Sequence, residues 1–229
     1  MLVNLVSYSR REGAPSSNGV PIEKEIESLV AYCARVSNPA NQWNSKTNTK
    51  LLKYLAKHKH WSPFEMVSMC LEIETTRDIA RQILRHRSFS FQEFSQRYAD
   101  PADLGDLFEY REARLQDTSN RQNSIQNEDT ELEATWRAMQ AKVMEASKNS
   151  YSWAIANGIA KEQARAVFPE GLTKSRLYMN GTLRSWLHYI ELRQENGTQL
   201  EHILVAQECA KVIGEIFDIG NAIRSNDSI

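Results

Sequence analysis

The chain has 229 residues, 41% hydrophobic and 25% charged, with 28 Lys and Arg balanced by 29 Asp and Glu. A formal net charge of −1 excludes a polycation that binds nucleic acid or anionic membrane through bulk charge, so any anion site must be built locally. No window approaches the ~18 consecutive apolar residues of a membrane span, and the start MLVNLVSYSRREG lacks the long apolar run of a secretory signal. Cys33, Cys70 and Cys209 lie far apart without CxxC spacing, so neither a zinc site nor a disulfide framework is indicated. An odd count suits a reducing interior, and the chain reads as cytoplasmic.

LVNLVSY is predicted as a first strand, ended by the turn formers of RREGAPSSNG. Ile22, Ile26, Leu29, Val30 and Cys33 follow at helical spacing. SNPANQWN breaks that helix, and TNTKLLKYLAKHKH forms a second, with Leu51, Leu52, Leu55 and Ala56 on one face. FEMVSMCLEIETT alternates at period two through Val67, Met69, Leu71 and Ile73 and is predicted as a strand. Thr75 or Thr76 can cap the next helix, RDIARQILRHR. Residues 100–130 are polar and form an excursion, partly ordered by a neighbour. A long helix spans about 130–157 and ends at Asn157-Gly158; a short one runs from Lys161 through Val167 to Pro169. GTLRSWLHYIELRQ and TQLEHILVAQECAKVIGEIF are the last two helices. Few strands, many helices and no separating linker make the chain, 1–229, a single α+β domain with a small antiparallel sheet.

Between 85 and 98 the chain reads RHRSFSFQEFSQRY. Gln82, Arg85 and His86 fall at i, i+3 and i+4 of the preceding helix. Ser88, Ser90 and Gln92 then alternate with Phe89 and Phe91, giving an extended segment with one polar and one apolar side. Guanidinium groups grip phosphate through paired donors and stack on flat rings, so the set suits a ligand with both, a nucleotide. Two other readings stay open: an ordinary helix end with ion pairs, and a single-strand nucleic-acid platform of stacked rings and arginines. The balanced charge and the lack of a wider basic stripe weigh against nucleic acid. His58 and His60 have no third ligand at metal spacing, so no metal is expected.

The order Arg85-His86-Arg87, seven residues, Ser95 resembles the signature of the flavin-dependent thymidylate synthases, the cysteine-independent family, with Ser90, Glu93, Arg97 and Tyr98 also in place. Many members have Asn where Gln92 stands. Further stretches are similar: ARVSNP at 34–39, KHKHWSPFE with His60, Ser62 and Glu65, ARAVFP with Arg165, and LRSWLHYIELRQENGTQLEH with Arg184, His188, Arg193, Gln199 and Glu201. Thr182 and His188 stand where the family has, or often has, Asn. The polar excursion looks similar to viral and phage-type members.

The resemblance implies the thymidylate synthase-complementing protein fold and methylation of dUMP to dTMP. Methylenetetrahydrofolate would give the carbon, and FAD reduced by NADPH the hydride. Ser62, Arg85, His86, Arg87, Glu93, Arg184 and His188 would hold FAD. Gln82, Arg85, Glu93, Phe94, Ser95, Gln96, Arg97, Arg165 and Arg193 would hold dUMP, with Arg193 the catalytic cation at the uracil edge. No base adjoins Ser95 in sequence, so it is expected to bind rather than attack. The family is expected to assemble as a homotetramer with shared active sites. Another flavin enzyme acting on a different pyrimidine nucleotide remains the nearest alternative.

Overall fold

A computed structural model describes residues 2–11 and 22–218. Four strands form one antiparallel sheet in the order β1-β2-β6-β3: β1 is Leu2–Tyr8, β2 Ser68–Thr76, β3 Phe89–Glu93 and β6 Lys174–Thr182. Two short strands, β4 (Leu115–Gln116) and β5 (Ser124–Ile125), pair as a separate hairpin within the polar excursion. The helices are α1 (Ile22–Ala34), α2 (Asn48–Lys57), α3 (Arg77–Ile83), α4 (Thr130–Ala156), α5 (Lys161–Ala164), α6 (Leu183–Arg193) and α7 (Leu200–Gly214).

Register explains the core. Met69, Leu71 and Ile73 of β2 lie opposite Gly181, Met179 and Leu177 of β6, and all the apolar side chains among them are buried. Period-two alternation sends Glu72, Glu74, Arg176 and Tyr178 to the other face, where Arg176 pairs with Glu74 and lies 3.8 Å from Glu72. The apolar face carries α6 and α7, with Trp186, Tyr189, Val205 and Ile213 in the same core. Gly181 lets β3 close on β6: a Cβ there would sit 2.4 Å from the Phe89 ring, which Trp186 backs at 4.9 Å.

Several boundaries differ from the sequence reading. β6, the strand that joins β2 to β3, lies in a segment to which the sequence reading assigned no element; it has no β-branched residue before Thr182, and its alternation is diluted by Lys174, Arg176 and Asn180. Gly181 and Thr182, assigned to a helix from sequence, belong to that strand, and the Thr182 hydroxyl accepts from Ser185 N–H as the cap of α6. α2 stops three residues short of His60: Lys59 takes a left-handed φ of 57° and His60 N–H bonds back to Leu55 C=O at 2.8 Å, closing the helix. Residues 64–66, predicted as the start of a strand, belong instead to a 3-10 turn, Ser62–Met66, opened by Pro63. The long helix α4 is as predicted. Asp129 caps it through Glu131 and Leu132 N–H, and Gly158 at φ +77° ends it.

Candidate functional site

The site grows from the end of α3. The backbone makes one more turn beyond the helix, with Arg85 N–H on Gln82 C=O and His86 N–H on Ile83 C=O. That turn separates the three residues of the Arg-His-Arg run. Arg85 and Arg87 are exposed, and neither guanidinium has a partner among the described residues. His86 turns inward and is half-buried, edge-on to Tyr189 at 4.9 Å.

Arg193, the last residue of α6, reaches the same place. Its Nε donates to His86 Nε2 at 2.8 Å, so the imidazole is neutral with its proton on Nδ1. Burial, and then the charge of Arg193, push the His86 pKa down to about 4. His202 lies behind it, 6.4 Å ring to ring. Its Nε2 pairs with the buried Tyr189 hydroxyl at 3.1 Å and its Nδ1 with Gln82 Oε1 at 3.2 Å. An amide oxygen only accepts, so Nδ1 carries the proton and Tyr189 donates. Burial, Arg193 and His86 hold His202 down to about 3. Gln82 Nε2 donates onward to Gln199 Oε1 at 2.8 Å.

A second group sits at the other end of α6. Arg184 pairs with Glu65, beside Ser62 in the 3-10 turn, and His188 lies edge-on to Trp61 at 4.8 Å. Arg184 and Arg193 are nine residues apart on one helix, roughly 13 Å along its axis. Burial, and then the charge of Arg184, push the His188 pKa down, with Glu191 opposing them.

The third group follows β3. Glu93 accepts from the Ser175 hydroxyl at 2.8 Å and lies 3.7 Å from Arg77. Phe94 N–H joins Arg176 C=O, and Ser95 Oγ accepts from Arg97 N–H at 3.4 Å. Gln96 is buried, and its Nε2 has no partner among the described residues. Arg97 meets Glu162 of α5 at 3.6 Å, and Lys161 donates to Tyr98 C=O, which brings the turn bearing Arg165 to this loop. The Arg165 guanidinium has no partner among the described residues.

The fold thus joins His86 to Arg193 directly and sets Gln82 by them through His202, places Glu93–Arg97 beside the element that carries Arg165, and sets Ser62, Arg184 and His188 apart. Sequence reasoning did not assign Tyr189 or His202 to the site. Their signal was weak, a hydroxyl and an imidazole on otherwise apolar helix faces. Among the described residues no group of three metal-ligating side chains forms, and no helix is long and apolar enough to cross a membrane.

A family model described as thymidylate synthase complementing protein matches residues 21–217. The chain belongs to that family. It is 50% identical over 198 residues to a probable flavin-dependent thymidylate synthase of Paramecium bursaria Chlorella virus 1, covering 86% of this chain and 90% of that protein. It is 49% identical over 200 residues to the flavin-dependent thymidylate synthase of Synechocystis, covering 87% and 89%. A crystal structure of a UMP/dUMP methylase from Streptomyces cacaoi bound with 5-Br dUMP shares the fold, with a TM-score of 0.78 at 24% identity over 96% of this chain and 92% of that one.

Proposed function

We propose that the chain is a flavin-dependent thymidylate synthase that methylates dUMP at C5 to dTMP, using methylenetetrahydrofolate as carbon donor and FAD reduced by NADPH. The observation that carries the reading is the junction of Arg193 with His86 inside an Arg-His-Arg turn whose two arginines are left unpaired. Unpaired exposed guanidinium groups, with the orphaned Gln96 N–H nearby in sequence, fit a ligand that brings phosphate and ring together. The names of the relatives support the same chemistry.

Reduced flavin supplies the hydride that completes the new methyl group. Arg85, His86 and Arg87 would hold it from one side, Ser62, Arg184 and His188 from another, and Glu93 from the end of β3. Gln82, Glu93, Phe94, Ser95, Gln96, Arg97, Arg165 and, shared with the flavin, Arg85 bind dUMP, the arginines and Ser95 on its phosphate. Arg193 is the catalytic cation. Its Nε is occupied by His86, which fixes the guanidinium plane and leaves the Nη donors for the uracil edge. There they stabilise negative charge spreading over N3 and O4 and make C5 nucleophilic.

No enzyme thiol is needed. Burial raises the pKa of Cys33, Cys70 and Cys209, the opposite of an activated nucleophile. Free cysteines also suit a reducing cytoplasm. The division of flavin-binding residues between the two ends of α6 supports sites completed by other subunits. So does α4, whose Leu132, Trp136, Met139, Val143 and Trp153 form an exposed apolar stripe at helical spacing, suited to pairing in a homotetramer.

The test is a flavin absorption spectrum titrated with dUMP, then tritium release from 5-labelled dUMP with and without methylenetetrahydrofolate. The proposal expects a yellow protein and release coupled to dTMP formation. Release that never yields dTMP would point to another pyrimidine flavoenzyme. A colourless protein binding oligonucleotides with a steep salt slope would point to a nucleic-acid module.

A further inference from the structure

The polar excursion does more than loop through solvent. Gln140 of α4 clamps the Arg111 backbone on both sides, accepting from its N–H at 2.8 Å and donating to its C=O at 2.9 Å. Glu133 accepts from Ala113 N–H at 2.7 Å. The segment so held sends two guanidinium groups inward to one buried carboxylate. Arg114 donates to Glu201 Oε1 at 2.5 Å, and Arg111 lies 3.2 Å from the same oxygen. Arg111 also grips Asp78 at 2.8 Å, in the first turn of α3, the helix that carries Gln82.

The other Glu201 oxygen accepts from Gln199 Nε2 at 2.9 Å. From there one chain of bonds runs inward: Gln82 Nε2 to Gln199 Oε1, His202 Nδ1 to Gln82 Oε1, Tyr189 hydroxyl to His202 Nε2. An ionised carboxylate can only accept. It therefore forces Gln199 to present its NH2, which turns its oxygen to Gln82, which turns the Gln82 oxygen to His202. Every amide orientation and the histidine tautomer follow from that one end. Gln82 keeps one N–H and one lone pair for a ligand, in a defined direction.

We propose that Glu201, clamped by Arg111 and Arg114 of the excursion, is a positioning residue that orients the Gln82 amide for the nucleotide. This rests on the reading that Gln82 contacts dUMP. Burial alone would raise the Glu201 carboxyl, but Arg114, Arg111 and Gln199 outweigh it and keep the group ionised. Glu201→Gln reverses the fixed end: the two guanidinium groups hold the new amide's oxygen, so its NH2 faces Gln199 and calls for the Gln199 oxygen instead.

The test is a double-mutant cycle on dUMP affinity, by flavin-absorbance titration of the full-length holoenzyme. Glu201→Gln is expected to weaken dUMP about tenfold, the scale of one charge-assisted hydrogen bond. In a Gln82→Ala background it is expected to change affinity less than about twofold, because the coupled pair does not add. Equal losses in both backgrounds, or no loss in the parent, overturn the proposal and leave Glu201 a structural ion pair. If Gln82→Ala itself leaves dUMP affinity unchanged, the nucleotide role of Gln82 fails and takes the proposal with it. Gln199→Met cuts the chain without touching the buried charge; it must reproduce the same loss and the same coupling even if Glu201→Gln does not fold.

Discussion

Arg193→Ala is expected to separate catalysis from stability, because its proposed role and its packing give the two effects very different sizes. The Arg193 side chain makes one hydrogen bond among the described residues, Nε to His86. Losing it costs about 1 kcal/mol of stability, or roughly 2–4 °C in a chain of this length. His86 is left with an unfilled acceptor beside the half-buried gap, which water can enter. The catalytic loss is far larger. The Nη donors, which no described residue occupies, are those that would face charge building on the pyrimidine. Removing such a preorganised donor costs about 10²–10³ in rate. The assay is tritium release under saturating dUMP, flavin and folate, alongside a thermal melt and the flavin spectrum. The expected protein is yellow, folded within a few degrees of the parent and nearly inactive. Turnover above about a tenth of the parent rate would refute the argument, since that loss lies below any donor of this kind. So would loss of flavin with full activity restored by added FAD. Arg193→Lys is expected to fall between, holding charge without the planar fork.

Arg87→Ala acts on cofactor retention instead. Its guanidinium is exposed and unpaired, so the fold should tolerate the change, while flavin left after gel filtration drops about tenfold, as for one lost charge-assisted bond. Stability should fall in mild acid. His86 and His202 have pKa values of about 4 and about 3, below the ordinary 6.5, so the unfolded chain takes up these protons first. Stability complete above pH 6.5 is lost as pH falls toward 4, and for His202 toward 3; a melting temperature flat between pH 6.5 and 5 would contradict the buried neutral pair. Gly181→Ala should destabilise by about 1–3 kcal/mol, because its Cβ would overlap the Phe89 ring that Trp186 prevents from retreating; an unchanged melt would show that β3 can shift at no cost.

Much of the site was legible in linear order because its chemistry is local. The Arg-His-Arg turn, Ser95 and the neighbouring phenylalanines lie within fourteen residues, and period-two spacing placed Phe89 and Phe91 on the inner side of β3, as the structure has them. Arg193 could be singled out only by family likeness; by itself it reads as a solvated cation at a helix end. Its half-buried bond to His86 spans 107 residues, and no pattern in one dimension encodes that. The excursion is the sharper case. Its polarity was read as the mark of an excursion, yet Arg111 and Arg114 point inward to a buried carboxylate, Glu201.

Hydrophobic period and capping chemistry act between near neighbours, so the order of residues alone settled most of the helices, the outer strands and the class of fold. The central strand β6 escaped, since its place depends on β2 and β3 flanking it rather than on its own composition. The direction of each amide, the neutrality of two imidazoles and the meeting of Gln82, His86 and Arg193 were settled only in three dimensions. Those properties follow from burial and from donors meeting acceptors across long chain separations, and both exist only once the core has formed.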